Sequence, residues 1–212
     1  MNGDRLTIAI PRGALFEGTL DLLDRLDVPT AEIRSNRRKL VFEDAGVLTV
    51  RPSDVPTYVE HGAADLGVTG KDVLLEQDER EVYELVDLGY GHCRMIVAAP
   101  ADAAPLEESM RRRGLVRIAT KYPGIATRHF AGTGRQAEVV EVKGSVELAP
   151  ITGLTDAIVD LTATGRTLAE NGLVEREAIA DCTARLIANP VSHKLKAERI
   201  DAVVARIKEL TG

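Results

Sequence analysis

A chain of 212 residues with 27 Lys and Arg against 33 Asp and Glu carries a formal charge of −6, which excludes the general attraction to nucleic acid that a basic face supplies. Its 44% hydrophobic content excludes wholesale disorder, and with 3% aromatics and no Trp the core must be aliphatic. Two cysteines, Cys93 and Cys182, lie far apart without zinc spacing, so a disulfide scaffold is excluded and a reducing cytoplasm fits. The run Met1–Arg5 leads straight into a strand without a signal peptide's apolar core. No apolar stretch approaches the roughly 20 residues that span a bilayer, so a soluble cytoplasmic protein is expected, with neither membrane nor nucleic acid as partner.

In chain order, Leu6–Ile10 reads as a strand broken by Pro11-Arg12-Gly13, and Leu15, Leu20, Leu22, Leu23 and Leu26 have helical spacing that closes before Pro29. Ligands of open α/β sheets sit at the carboxyl ends of strands, which places Arg12 at a candidate site. Ser35-Asn36-Arg37-Arg38-Lys39 is a basic run, with Arg37 expected on a solvated face. The alternation on either side of Ala45-Gly46, into Val47–Val50, predicts a hairpin. Arg51 then stands at a strand end, before a short helix capped by Ser53 or Asp54 and stopped at Gly62. His61 fits a helix-end residue better than a base. Ala64–Asp72 repeats the strand-then-glycine theme, with Thr69 and Gly70 at the mouth of the sheet.

Val82–Leu88 is a further strand, and Gly89-Tyr90-Gly91-His92 reads as a crossing between two domains. Cys93 lies at that crossing without an identifiable base partner, which excludes it as the catalytic nucleophile of an enzyme's covalent step. Strands are expected at Arg94–Ala99, Val116–Thr120 and Glu138–Val142, with Lys121-Tyr122-Pro123 following the second of these. Arg111-Arg112-Arg113 reads as a solvated helix end. Residues 91–172 are expected to form one compact βαβαβ lobe. Residues 1–90 with 173–212 form the other, closed by a strand at Cys182–Ala188 and a single last helix from Pro190. Lys194, Lys196, Arg199 and Arg206 are expected among that helix's solvated positions.

The stretch that carries chemistry is Ala157-Ile158-Val159-Asp160-Leu161-Thr162-Ala163-Thr164-Gly165-Arg166-Thr167-Leu168. A buried strand gives way to an acid, hydroxylated and small residues and a glycine, and then a helix starts. Free N–H groups at such a start favour an anion. Thr162, Thr164 and Thr167 add hydroxyl donors, and Gly165 permits a φ > 0 turn and close approach of a phosphate. Asp160, at the strand's carboxyl end, suits sugar hydroxyls, or Mg²⁺ held through water. A carboxylate beside a phosphate cradle is what a phosphorylated ribose needs.

Glu147, Gly153 six residues on, and Asp160 seven beyond that, followed by Thr164-Gly165-Arg166-Thr167, closely resemble the signature of the ATP phosphoribosyltransferase family. The stretch from Arg51 through Asp54-Val55-Pro56 to Gly67–Asp72 resembles the family as well. The resemblance implies an α/β fold of two lobes with a cleft between them, like the periplasmic-binding-protein type II fold. It implies transfer of the phosphoribosyl group of phosphoribosyl pyrophosphate to N1 of the adenine of ATP, the first step of histidine biosynthesis. Thr162, Ala163, Thr164, Gly165, Arg166 and Thr167 would hold the 5′-phosphate, Asp160 and Glu147 the ribose hydroxyls, and Arg51 a further substrate contact. Mg²⁺ with Arg12 and Arg38 would stabilise the departing pyrophosphate, and no metal-binding set of protein ligands is expected. The family usually has Lys-Gly-Arg where this chain has Arg12-Gly13-Ala14, so a cation's work there falls to Arg12.

The length resembles the family's short form, which implies a hetero-oligomer with a regulatory subunit resembling histidyl-tRNA synthetase. With the last helix running to Thr211-Gly212, no regulatory domain of the chain's own is expected. Two other readings stand beside this one: a non-catalytic bilobal anion-binding module, and a nucleobase salvage phosphoribosyltransferase. The latter class usually sets two adjacent acids before its loop, whereas here Asp160 follows Val159.

Overall fold

The structure is a computed structural model that describes residues 5–77 and 79–211. Met1–Asp4, whose sequence argued against a signal peptide, and the final Gly212 lie outside them. The chain forms β1 (Ile8–Pro11), α1 (Phe16–Arg25), α2 (Ala31–Ser35), β2 (Val41–Phe42) and β3 (Val47–Val50). A 3₁₀ turn at Pro52–Asp54 then precedes α3 (Val55–Glu60), β4 (Leu66–Gly70), α4 (Lys71–Glu76) and β5 (Tyr83–Asp87). Next come β6 (Cys93–Pro100), α5 (Leu106–Arg113), β7 (Val116–Thr120), α6 (Pro123–Gly132) and β8 (Ala137–Glu141). They are followed by α7 (Leu148–Ile151), β9 (Ala157–Thr162), α8 (Arg166–Glu170) and β10 (Leu173–Cys182). The chain ends with β11 (Ala184–Ala188), α9 (Pro190–Leu195) and α10 (Ala197–Thr211).

Two compact units result, one running to Gly91 and resuming at Thr183, the other spanning His92–Cys182. The first contains a six-stranded sheet in the order β2-β3-β1-β4-β11-β5. The expected hairpin is there: β2 and β3 pair antiparallel, with Val41 opposite Leu48. Phe16, Leu20 and Leu23 recur at helical spacing on α1 and are buried against Ile10, Leu66 and Leu186. Ile200 and Ile207 of α10 close the same cluster. Each such side chain, taken out of water, contributes on the order of 1.5–3 kcal/mol.

The second unit holds a five-stranded sheet, β10-β6-β9-β7-β8. β7 is parallel to both β8 and β9, whereas β6 is antiparallel to β9 and to β10. Three carboxyl strand ends therefore share one edge. The core is aliphatic, with Ile96, Ala98, Ala119, Val146, Ile158 and Leu168 packed together.

The structure corrects three expectations. Residues 173–182, expected in the first lobe, form β10 in the second sheet, where they pair with β6 along its whole length. The single last helix is two helices. Asn189 caps the first, its side-chain oxygen accepting the Ser192 N–H at 2.8 Å, and the chain breaks at Lys196. Lys196 is not solvated either: its ammonium lies 2.9 Å from both carboxylate oxygens of Asp65, which is 7% exposed. Satisfying that buried carboxylate takes precedence over helical continuity, because an unpaired buried charge is far costlier than one missing turn.

Candidate active site

β9 is set in register at its start. Asp156 donates its N–H to the Arg117 carbonyl at 2.8 Å, and its carboxylate accepts the Arg117 N–H at 2.8 Å. At the other end Thr120, fully buried, donates its hydroxyl to the Val159 carbonyl at 2.7 Å and accepts the Tyr122 N–H at 2.8 Å. The exits of β7 and β9 are thus locked side by side. Lys121 and Asp160 face each other there, with Nζ 3.6 Å from Oδ1.

Asp160 has a side chain only 16% exposed, and its Oδ1 accepts the N–H of Leu161 at 2.8 Å. Burial raises its pKa above the ordinary carboxylate value; the Lys121 charge and the Leu161 N–H oppose that rise, and the nearby Glu147 charge adds to it. Glu147, half-buried, precedes α7 at its cap position. The two carboxylates quoted from the sequence are therefore within electrostatic reach of each other. Lys121 is the member that sequence reasoning missed. Its only signal was its place, immediately after a strand parallel to β9, where such sheets put ligands.

After Asp160 the chain turns on threonine oxygens. Thr162 Oγ1 accepts the Gly165 N–H at 3.0 Å, and Thr164 Oγ1 accepts the Arg166 N–H at a longer 3.4 Å. Gly165 has φ +74°, the left-handed region, directly before α8. A Cβ there would meet nothing within 4 Å, so it is the torsion and not the space that calls for glycine. Ala163, Thr164, Arg166 and Thr167 are exposed. Arg166 turns back along the helix, its Nε 2.8 Å from Glu170 Oε1. The Thr167 carbonyl accepts the Asn171 side-chain amide at 2.8 Å. With five residues, α8 has little dipole to offer, and the hydroxyls of the loop are its main resource for an anion.

The remaining arginines belong to the first unit. Arg12 follows β1 and lines a cavity of 360 Å³ together with Phe16, Asn36, Arg37 and Thr49. Its Nη2 donates to the Lys39 carbonyl and to Thr49 Oγ1, both at 3.0 Å, so it braces the end of β1 against the hairpin. Arg37 is exposed, as expected of a solvated face, with its Nη2 2.6 Å from Glu17 and its guanidinium 5.5 Å from the centre of the Phe16 ring. Arg38 and Arg51 are exposed, and among the described residues neither side chain has a hydrogen-bond or ion-pair partner. Arg51 sits at the exit of β3, ahead of the 3₁₀ turn.

Comparison with known proteins gives this arrangement a family. The family model for ATP phosphoribosyltransferase matches residues 51–209. The chain is 51% identical to an ATP phosphoribosyltransferase of Rubrobacter xylanophilus over 95% of its length and 94% of that protein's. It is 47% identical to ATP phosphoribosyltransferase 2 of Geobacter sulfurreducens, over 97% and 98% of the two chains. Among solved structures it is similar to the ATP phosphoribosyl transferase (HisG:HisZ) complex from Thermotoga maritima, with a TM-score of 0.81, 36% identity and 98% of each chain covered. The periplasmic aliphatic sulphonate binding protein SsuA of Escherichia coli shares the fold alone, with a TM-score of 0.60 at 14% identity over 96% of this chain and 71% of that one. The fold class is accordingly α/β with two units of the periplasmic-binding-protein type II kind, and the chain belongs to the ATP phosphoribosyltransferase family.

Proposed function

We propose that this chain catalyses the transfer of the phosphoribosyl group of phosphoribosyl pyrophosphate to N1 of the adenine of ATP, with release of pyrophosphate, as the first step of histidine biosynthesis. The observation that carries the reading is Asp160 at the buried end of β9, followed directly by a loop organised on Thr162 and Thr164, in a chain of this family. The 5′-phosphate sits on the exposed loop Ala163, Thr164, Gly165, Arg166 and Thr167, while Asp160 and Glu147 accept hydrogen bonds from the ribose hydroxyls. Displacement at the anomeric carbon builds positive charge on the sugar. Two carboxylates held beside it stabilise that charge without reorganising, so the protein's work is positioning and charge compensation.

Lys121 joins this set. Its charge opposes the rise that burial gives the Asp160 pKa, and it offers a cation to the substrate's phosphates. Arg12, Arg38 and Arg51 take the pyrophosphate and triphosphate oxygens, for which the planar guanidinium is suited. Of the three, Arg38 and Arg51 have uncommitted side chains among the described residues, whereas Arg12 must share its donors with Lys39 and Thr49.

The reaction uses a divalent metal, and Mg²⁺ fits best as an ion carried by the substrate. Magnesium favours substrate phosphates and water over all-protein cages, and among the described residues no group of three or more His, Cys, Asp or Glu is gathered to hold one. When bound, it offsets the charge that builds on the departing pyrophosphate. We further propose that the chain works in the cytoplasm, in a hetero-oligomer with a regulatory subunit resembling histidyl-tRNA synthetase. Its likeness to a chain of the HisG:HisZ complex supports that assembly, and no helix among the described residues is long and apolar enough to cross a membrane.

The test is to identify the product. Incubation with phosphoribosyl pyrophosphate, ATP and Mg²⁺ should give an ATP derivative heavier by one phosphoribosyl group and linked at N1, seen by mass and NMR. No adduct on ATP, together with a phosphoribosyl adduct when a free base such as adenine replaces ATP in the incubation, would replace this reading with nucleobase salvage.

A further inference from the structure

The chain's two cysteines, 89 positions apart in sequence terms of no evident design, are direct partners in the second sheet: β10 and β6 run antiparallel with Cys182 opposite Cys93. The rungs beside them are regular, Asp181 opposite Arg94 and Ala180 opposite Met95, and the irregularities of this ladder lie further along. A further tie between the two strands is Arg94, whose guanidinium reaches along the ladder to Glu175 of β10, the residue opposite Ala98, through two bonds of 2.7 Å. Directly opposed residues of an antiparallel pair point to the same face, with Cα atoms about 4.5–5.5 Å apart. A disulfide spans about 4.4–6.8 Å between Cα atoms. Both residues are thiols in this structure, Cys93 half-buried and Cys182 1% exposed.

Two placements give the pair a consequence. The chain enters the second unit at His92 and leaves it at Cys182, so both crossings adjoin the cysteines. On its other side β6 pairs with β9, with Arg94 opposite Thr162. Cys93 is therefore one residue beyond the rung of the threonine whose oxygen holds Gly165, at the mouth of the phosphate loop. We propose that Cys93 and Cys182 form a reversible dithiol–disulfide site that reacts with low-molecular-weight disulfides and couples its redox state to that loop.

The chemistry balances without a metal. The Cys93 thiolate, the accessible one, attacks a sulfur of a small disulfide such as oxidised glutathione, forming a mixed disulfide and expelling one thiolate. The Cys182 sulfur, as thiolate, then attacks Cys93 Sγ and expels the second. The two protons given up by the cysteines are taken by the two small thiols, so the protein loses two hydrogens and the oxidant is reduced to two thiols. Ladder-opposed Cβ atoms stand about 4.5–5.5 Å apart, wider than the roughly 3.8 Å a disulfide prefers. The bond therefore draws β6 toward β10 at the rung next to Thr162, and excess thiol reopens it. Transient, redox-responsive disulfides are the kind found in reducing compartments.

The experiment treats the full chain with oxidised glutathione at neutral pH, then reads intact mass and alkylatable thiols after quenching. The expected result is a loss of two hydrogens with no thiol left to alkylate, reversed by dithiothreitol. Cys182→Ser should stop at a glutathione adduct on Cys93, and Cys93→Ser should leave Cys182 largely unmodified until the chain is denatured. A wild-type chain that keeps the adduct on Cys93 with a free Cys182 thiol, or that forms the bond only in denaturant, would overturn the site. The coupling rests on the phosphoribosyl pyrophosphate reading and is measured by calorimetry. The oxidised chain should bind phosphoribosyl pyrophosphate about two- to tenfold more weakly, the range of disturbing one neutral hydrogen bond, while Cys93→Ser, which takes up no glutathione in the folded state, should bind alike before and after reductant. Equal affinity of the oxidised and reduced chains would overturn the coupling. If the reduced chain binds no phosphoribosyl pyrophosphate, the functional reading falls with the coupling, and the thiol chemistry is judged on mass alone.

Discussion

At the scale of single residues, Asp160 pits function against stability. A carboxylate whose folded pKa is raised costs stability above its unfolded pKa, because burial disfavours the charge that water would have solvated. Asp160→Asn keeps the acceptor for the Leu161 N–H and removes that charge. Its melting temperature at pH 7 should therefore equal or exceed that of the wild type, while turnover falls roughly 10²-fold, the scale of one preorganised contact. Scanning calorimetry beside steady-state rates checks both halves; a folded variant with near-native turnover would remove Asp160 from the chemistry. Lys121 pulls the same pKa down. Lys121→Met should therefore move the acid limb of the kcat/KM profile to higher pH, since Asp160 then takes its proton earlier as acidity rises. An unmoved limb would mean that the 3.6 Å pair does not govern the ionisation. At Gly165 the demand is torsional alone, with space for a Cβ. Gly165→Val should cost about 1–2 kcal/mol of local conformational energy, read as weaker phosphoribosyl pyrophosphate binding by calorimetry and a melting temperature lowered by about 2–8 °C.

Elements differ in how far the sequence discloses them. Ala157–Leu168 was legible because its parts are local: an apolar run, an acid, threonines and a glycine whose torsion a single residue type satisfies. β10 was not legible. Leu173–Cys182 alternates poorly, carries Glu175, Arg176, Glu177 and Asp181 on an edge strand, and breaks register twice against β6. Its membership of the second sheet is decided by pairing partners far away in the chain, as is the meeting of Lys121 with Asp160 and of Lys196 with Asp65. Arg12 shows the same limit from the other direction. Its position at a strand end was readable, but its bonds to Lys39 and Thr49 were not. Arg12→Ala should therefore lose both substrate affinity and the brace between β1 and the hairpin. Removing hydrogen bonds from a charged donor costs about 1.5–3 kcal/mol, and a fall in thermal stability alongside a raised KM is expected. A variant with lowered stability and unaltered kinetics would make Arg12 a structural residue and leave the phosphates to Arg38 and Arg51.

For the whole molecule, Glu147, Asp160 and the loop after β9 belong to the second unit, and Arg12, Arg38 and Arg51 to the first; the proposed function gives each set its own part of the substrate to hold. A non-catalytic bilobal anion-binding module would explain the loop but not two separated acids together with arginines at other strand ends. It would leave Arg38 and Arg51 exposed without a task, and it would not account for identity of 51% and 47% with enzymes along nearly the full chain. The central claim is that ATP, and not a free base, attacks the ribose held by Asp160 and its loop. The most direct measurement is the initial rate of pyrophosphate release from phosphoribosyl pyrophosphate and Mg²⁺, with ATP or adenine as the acceptor. Release that requires ATP, matches product one for one and collapses in Asp160→Asn is the expected result. Release supported equally by adenine, or surviving intact in that variant, would contradict it.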